Sequence, residues 1–159
     1  MEFITKNFKE TQQLAERLVT QLIKGPHSGA LVLALRGELG AGKTTFIQGL
    51  GQALWIKEKI LSPTFVIMKH FELANSEWPI ANSQSKINNL YHLDCYRLDS
   101  EKDLVELGFE EILKNENNLV VIEWAQRIKK ALPRDTIWME FEHGGEDERK
   151  IKIQMTNDK

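Results

Sequence analysis

The residues best equipped for chemistry are Gly37-Glu38-Leu39-Gly40-Ala41-Gly42-Lys43-Thr44, a complete G-x-x-x-x-G-K-[ST] segment. Glycines at these spacings let backbone N–H groups turn inward around phosphate oxygens without side-chain collision. Lys43 supplies a point charge between β- and γ-phosphates, and the Thr44 hydroxyl can ligate Mg²⁺. The helix expected to follow adds unpaired N–H donors and the positive end of its dipole. The segment therefore predicts a nucleoside triphosphate site.

Such a loop needs an acidic partner from a neighbouring strand, and Leu119-Val120-Val121-Ile122-Glu123 supplies one, with Glu123 directly after four apolar residues. Leu90-Tyr91-His92-Leu93-Asp94-Cys95-Tyr96-Arg97 puts His92, Asp94 and Tyr96 on one face if it is extended. His92 and Asp94 alone are too few ligands for a transition metal. As a polar wall of the nucleotide site, Asp94 can orient the attacking water or a Mg²⁺-bound water. Cys95, on the opposite face, suits a small core position better than a nucleophile. Arg97 either steadies developing phosphate charge or forms a surface ion pair. Ser62-Pro63-Thr64 offers hydroxyls on both sides of a fixed proline, which fits a segment sensing the γ-phosphate and a strand-entry turn equally well.

Positioning these groups requires strands and helices in alternation. Leu14, Leu18 and Leu22, joined by Ala15, Val19 and Ile23, make one helical stripe over 11–24, stopped by Gly25-Pro26. Ala30 to Leu35 is a continuous apolar run, as in a strand buried on both faces of a parallel sheet. Phe46, Ile47, Leu50, Ala53 and Leu54 form a second stripe, directly after the glycine-rich segment. Strands are predicted over 65–73 and 90–96, and a helical pair over 101–114 broken at Gly108. Period-two alternation over 137–141 and 150–155, around His143-Gly144-Gly145-Glu146, predicts a terminal hairpin. The expected fold is thus α/β of the P-loop type: one domain over 1–159 with a central, mostly parallel sheet and a C-terminal antiparallel hairpin. A polar insertion over 74–89, with Trp78 in it, interrupts that domain.

Composition narrows the partners. With 21 Lys and Arg against 23 Asp and Glu, the formal net charge is -2. That balance lacks the cationic excess with which a protein grips nucleic acid or an anionic membrane by itself. The single cysteine excludes an intrachain disulfide and fits a reducing, cytoplasmic setting. No apolar run is long enough to span a bilayer and no secretory leader is visible, so no membrane partner is expected.

Among P-loop classes, the D-x-x-G and N-K-x-D marks of GTPases and the serine-glycine-glycine signature of transporter ATPases are missing. A small-molecule kinase stays open as an alternative to a regulatory ATPase. The ordered set Gly37 to Phe46, Ser62-Pro63-Thr64-Phe65, His92 to Leu98 and Val121-Ile122-Glu123-Trp124 resembles the bacterial TsaE (YjeE) family, the small ATPase of tRNA threonylcarbamoyladenosine biosynthesis. The likeness covers nearly the whole chain. It departs in a long stretch over 72–88 and in Cys95, where the family usually carries a larger apolar residue.

The resemblance implies ATP and its product ADP as ligands, with Mg²⁺ held by Thr44 and Glu123. Gly37 would open the phosphate loop, and Gly40, Ala41, Gly42, Lys43, Thr44 and Thr45 would wrap the phosphates. Asp94 would be needed for turnover, Ser62, Pro63 and Thr64 would form a switch, and Trp124 would line the site beside the metal. Thr11, read as the start of the first helix, would lie near the base, although a helix cap explains it too. The implied partners are TsaD and TsaB, which place threonylcarbamoyl on the adenosine beside the anticodon of tRNAs reading codons that begin with A. Contact with tRNA would be indirect, and hydrolysis slow until the partners dock.

Overall fold

The computed structural model describes residues 1–62, 67–73 and 86–155. The apolar run becomes β2, Leu31–Gly37, whose first five residues are buried. On one side lies β5 (Asn118–Glu123), buried throughout, and on the other β6 (Ile137–His143); both run parallel to β2. β4 (Asn89–Asp94) continues the parallel block beyond β5. The outer strands are antiparallel: β7 (Arg149–Gln154) on β6, β1 (Glu2–Thr5) on β7, and β3 (Met68–Glu72) on β4. The order across the seven-stranded sheet is β1-β7-β6-β2-β5-β4-β3.

The sheet is therefore mixed, not mostly parallel. Its parallel block is the part that strand–helix alternation dictates, because parallel neighbours need a crossover. β1 and β3 flank that block at long range, and local patterning carries no information about their direction. The predicted hairpin forms as β6 and β7, paired from Trp138 with Gln154 to His143 with Arg149. Of the strand expected over 65–73, residues 65–66 lie outside the described residues, as do Trp78 and most of the polar insertion.

Alternate residues of the central strands feed two cores. Leu33, Leu35, Leu90 and Val121 face helices α1 (Phe8–Leu22) and α2 (Lys43–Ala53), which pack against each other over one side of the sheet. Val32, Ala34, Leu93, Cys95 and Ile122 face the other side, covered by 3₁₀ segments Glu101–Leu107 and Ala125–Ala131 and by α3 (Phe109–Lys114). Each fully buried Leu or Ile contributes about 1.5–3 kcal/mol, so both layers are fixed firmly enough to hold a site at their shared edge. Gly108, at φ 68°, turns the chain between the two short helical pieces as expected.

α1 begins earlier than its leucine stripe implies. Its N-cap is Asn7, whose side chain accepts a 3.0 Å bond from the Glu10 N–H. Thr11 is therefore not a cap: it lies a turn inside the helix, buried, with its Oγ1 2.7 Å from Thr5 Oγ1. Among the described residues, no helix is long and apolar enough to cross a membrane.

Candidate functional site

Three parallel strands end side by side, and each end delivers one part of the site. β2 runs directly into the glycine-rich loop. Gly37 has φ 149°, and a Cβ there would lie 2.5 Å from the Phe141 carbonyl oxygen, so β6 passes too close for any side chain. Gly42 caps α2 at φ 103°, a left-handed turn that other residues adopt only under strain. Lys43 opens the helix, almost wholly buried. Its Nζ donates to the Gly37 carbonyl and, at 2.9 Å, to the Glu38 carbonyl. The ammonium also lies 4.7 Å from the centre of the Trp124 ring. Burial pushes the Lys43 pKa below the usual lysine value, and the Glu123 and Asp94 carboxylates pull it back up.

β5 ends at Glu123, which is 3 % exposed. Thr44 Oγ1 donates to Glu123 Oε1 at 3.0 Å, and His92 Nε2 lies 2.9 Å from Glu123 Oε2. A carboxylate only accepts, so that imidazole nitrogen carries the proton. His92 itself is fully buried, and its Nδ1 has no hydrogen-bond partner among the described residues. β4 ends at Asp94, paired in register with Glu123. The Ser62 hydroxyl sits between the two carboxylates, 2.7 Å from Asp94 Oδ2 and 3.3 Å from Glu123 Oε2, while the Tyr96 N–H donates to Asp94 Oδ1 at 2.9 Å.

Trp124 follows Glu123 with φ 58° and ψ 37°. A left-handed tryptophan costs about 1–2 kcal/mol. The turn brings its ring against both Lys43 and Tyr96, the latter at 5.0 Å between centroids.

Gly40, Gly42, Lys43, Thr44, Thr45, Ser62, Asp94, Glu123 and Trp124 together line a cavity of about 360 Å³. Two loop members stand behind it: Gly37 contributes a carbonyl to Lys43, and Ala41 is buried in the core. Thr11 lines a second cavity, also about 360 Å³, on the far side of Gly42 and Thr45. Pro63 and Thr64 lie outside the described residues. Arg97 is exposed and does not line the first cavity. Cys95 is in the core, its thiol pushed up to about 12 chiefly by burial and then by the Asp94 charge. The strand expected over 90–96 stops at Asp94, so Tyr96 enters the wall from a turn and not from a strand face. Leu39, a variable position of the glycine-rich segment, also lines the cavity, as does Arg149, which carries no signal in the sequence around it.

Hydroxyl and carboxylate oxygens are hard donors suited to Mg²⁺. Among the described residues no cluster of three or more His, Cys, Asp or Glu side chains is placed to hold a metal alone. Such a sparse set fits an ion whose remaining ligands are substrate phosphates and water.

The family model for threonylcarbamoyl adenosine biosynthesis protein TsaE matches residues 5–151, taking in every described residue that lines the first cavity. The chain belongs to the TsaE family. It is 32% identical over 151 residues to the Bacillus subtilis tRNA threonylcarbamoyladenosine biosynthesis protein TsaE, covering 95% of this chain and 83% of that one. The Aquifex aeolicus TsaE is likewise 32% identical over 154 residues, 96% of this chain and 94% of its own. The crystal structure of Bacillus subtilis YdiB superposes with a TM-score of 0.69 at 28% identity, over 98% of this chain and 85% of that one. The ordered sequence blocks thus identified the family correctly.

Proposed function

We propose that the chain is a Mg²⁺-dependent ATPase serving threonylcarbamoyladenosine formation on tRNA, acting on a complex of TsaD and TsaB. The observation that carries this reading is the 3.0 Å contact between Thr44 and Glu123, within one cavity that also holds Lys43 and Asp94. Two recurring tasks of phosphoryl transfer, metal holding and charge neutralisation, need those groups together.

On this reading the loop N–H groups and the start of α2 bind the phosphates. Lys43 leaves its two carbonyl partners for the β- and γ-oxygens. Thr44 and Glu123 hold Mg²⁺, which when bound neutralises charge on the β- and γ-phosphates. Asp94, beside Glu123 and fixed by the Tyr96 N–H, accepts a hydrogen bond from the attacking water and orients it. Ser62 touches both carboxylates, so a change at the terminal phosphate reaches this first residue of the proposed switch, Ser62-Pro63-Thr64. Thr11 and its cavity take the nucleoside end. The balanced charge supports access to tRNA through TsaD and TsaB and not by direct contact.

The test is phosphate release by the purified chain with and without TsaD and TsaB. Stimulation on mixing is expected, and an unchanged rate overturns the partner assignment. Lys43→Ala should abolish ATP binding, while Asp94→Asn should keep binding and lower turnover by about 10²–10⁴-fold. An Asp94→Asn rate equal to wild type overturns the role given to Asp94.

A further inference from the structure

We infer that Arg149 is a nucleotide ligand, a hairpin arginine placed to grip the α- and β-phosphates midway between the loop lysine and the nucleoside. The inference rests on the nucleotide reading above and adds a residue that neither the glycine-rich loop nor the acidic strand ends predict.

Three observations converge on this side chain. Its backbone is held from both sides, because Arg149 opens β7 and pairs with His143 of β6 and Thr5 of β1. Its stem lies on the phosphate loop: a Cβ at Gly42 would stand 3.4 Å from Arg149 Cγ and 3.5 Å from Cδ and Nε. Its position is also the boundary between the two cavities, which share only Gly42, Thr45 and Arg149 as lining residues.

Electrostatics supplies the reason for a ligand. Among the described residues the Arg149 side chain forms no ion pair, and its one hydrogen bond runs from Nη1 to the Glu148 carbonyl at 2.9 Å. A guanidinium has five N–H donors in a planar fork suited to phosphate oxygens, so most of this fork is uncommitted beside an anion-binding loop. Lys43, Thr44, Asp94 and Glu123 surround the terminal-phosphate end in the first cavity. Thr11, Asn7 and Asp147 line the second. A nucleotide running from one cavity to the other passes Arg149 with its inner phosphates, the groups that ATP and ADP have in common.

The discriminating experiment is calorimetric titration of ADP and of a non-hydrolysable ATP analogue, with Mg²⁺, into wild type, Arg149→Met and Arg149→Gln. The Met variant keeps an apolar stem against Gly42, and melting curves without nucleotide check that both variants are folded. Loss of a charge-assisted bidentate contact should weaken both ligands by a similar factor, about ten- to a hundredfold. Wild-type affinity in a folded Arg149→Met protein overturns the inference. So does a loss confined to turnover with both dissociation constants unchanged, which makes Arg149 a transition-state residue only. Failure of wild type itself to bind either ligand overturns the nucleotide reading, a result distinct from failure of the arginine.

Discussion

His92 holds a buried carboxylate with one ring nitrogen and, among the described residues, leaves the other without a bond. Replacing it by Leu strips Glu123 of a donor in a place that water does not reach, which should cost about 1–3 kcal/mol. Urea unfolding measures that loss, and Mn²⁺ titration followed by spin resonance should show weaker metal uptake in the presence of ADP. Cys95 makes the opposite kind of prediction. Between the ordinary thiol value of 9.0 and its folded value of about 12, the unfolded chain has lost this proton while the native chain keeps it. The native state then binds more protons, so this group makes stability fall as pH rises through that window. In the folded protein the thiol should stay unreactive toward a disulfide reagent at pH 8, and react once urea exposes it. At this scale the sequence was legible where chemistry has a short signature, as for Lys43, Thr44 and the acids ending β4 and β5. It was silent on the His92–Glu123 bond, which depends on how two strands register, and on Arg149, which reaches the loop from more than a hundred residues away.

Gly49 decides how closely the two helices on one face approach. A Cβ there would stand 2.5 Å from the Gln12 carbonyl oxygen and 2.9 Å from Ala15 Cβ. In an isolated helix Gly→Ala gains about 1 kcal/mol, but overpacking a close contact costs about 1–3 kcal/mol. The clash is with backbone, which cannot rotate away, so Gly49→Ala should lower the melting temperature despite its better propensity. A rise would mean that α1 shifts freely. The helix stripes, β2, β5 and the hairpin were all readable because their apolar periods are local. β1 was not, since four residues with one buried position carry little period, and its partner lies at the other end of the chain. The start of α1 was misplaced for a related reason: Asn7 caps it by a polar bond that precedes the first leucine by two turns.

Over the whole molecule, the parallel block sends the carboxyl ends of β2, β4 and β5 to one edge of the sheet, where ligands of open α/β folds bind. That placement explains why residues from 39 to 149 share one cavity. The two outermost partners of the hairpin side bring Met1 against Ile153, whose backbone groups exchange bonds of 2.8 and 2.9 Å. Head and tail of the fold are thus neighbours on adjacent strands, and a short glycine-serine bridge can join them covalently. A ring so closed can be reopened at the exposed residues Asn115 and Glu116, between α3 and β5, giving a permuted protein whose new ends lie far along the chain from the old. Such a rewired chain should bind ADP with unaltered affinity, because the order in which β1 and β7 are threaded is immaterial to the cradle once both are in place.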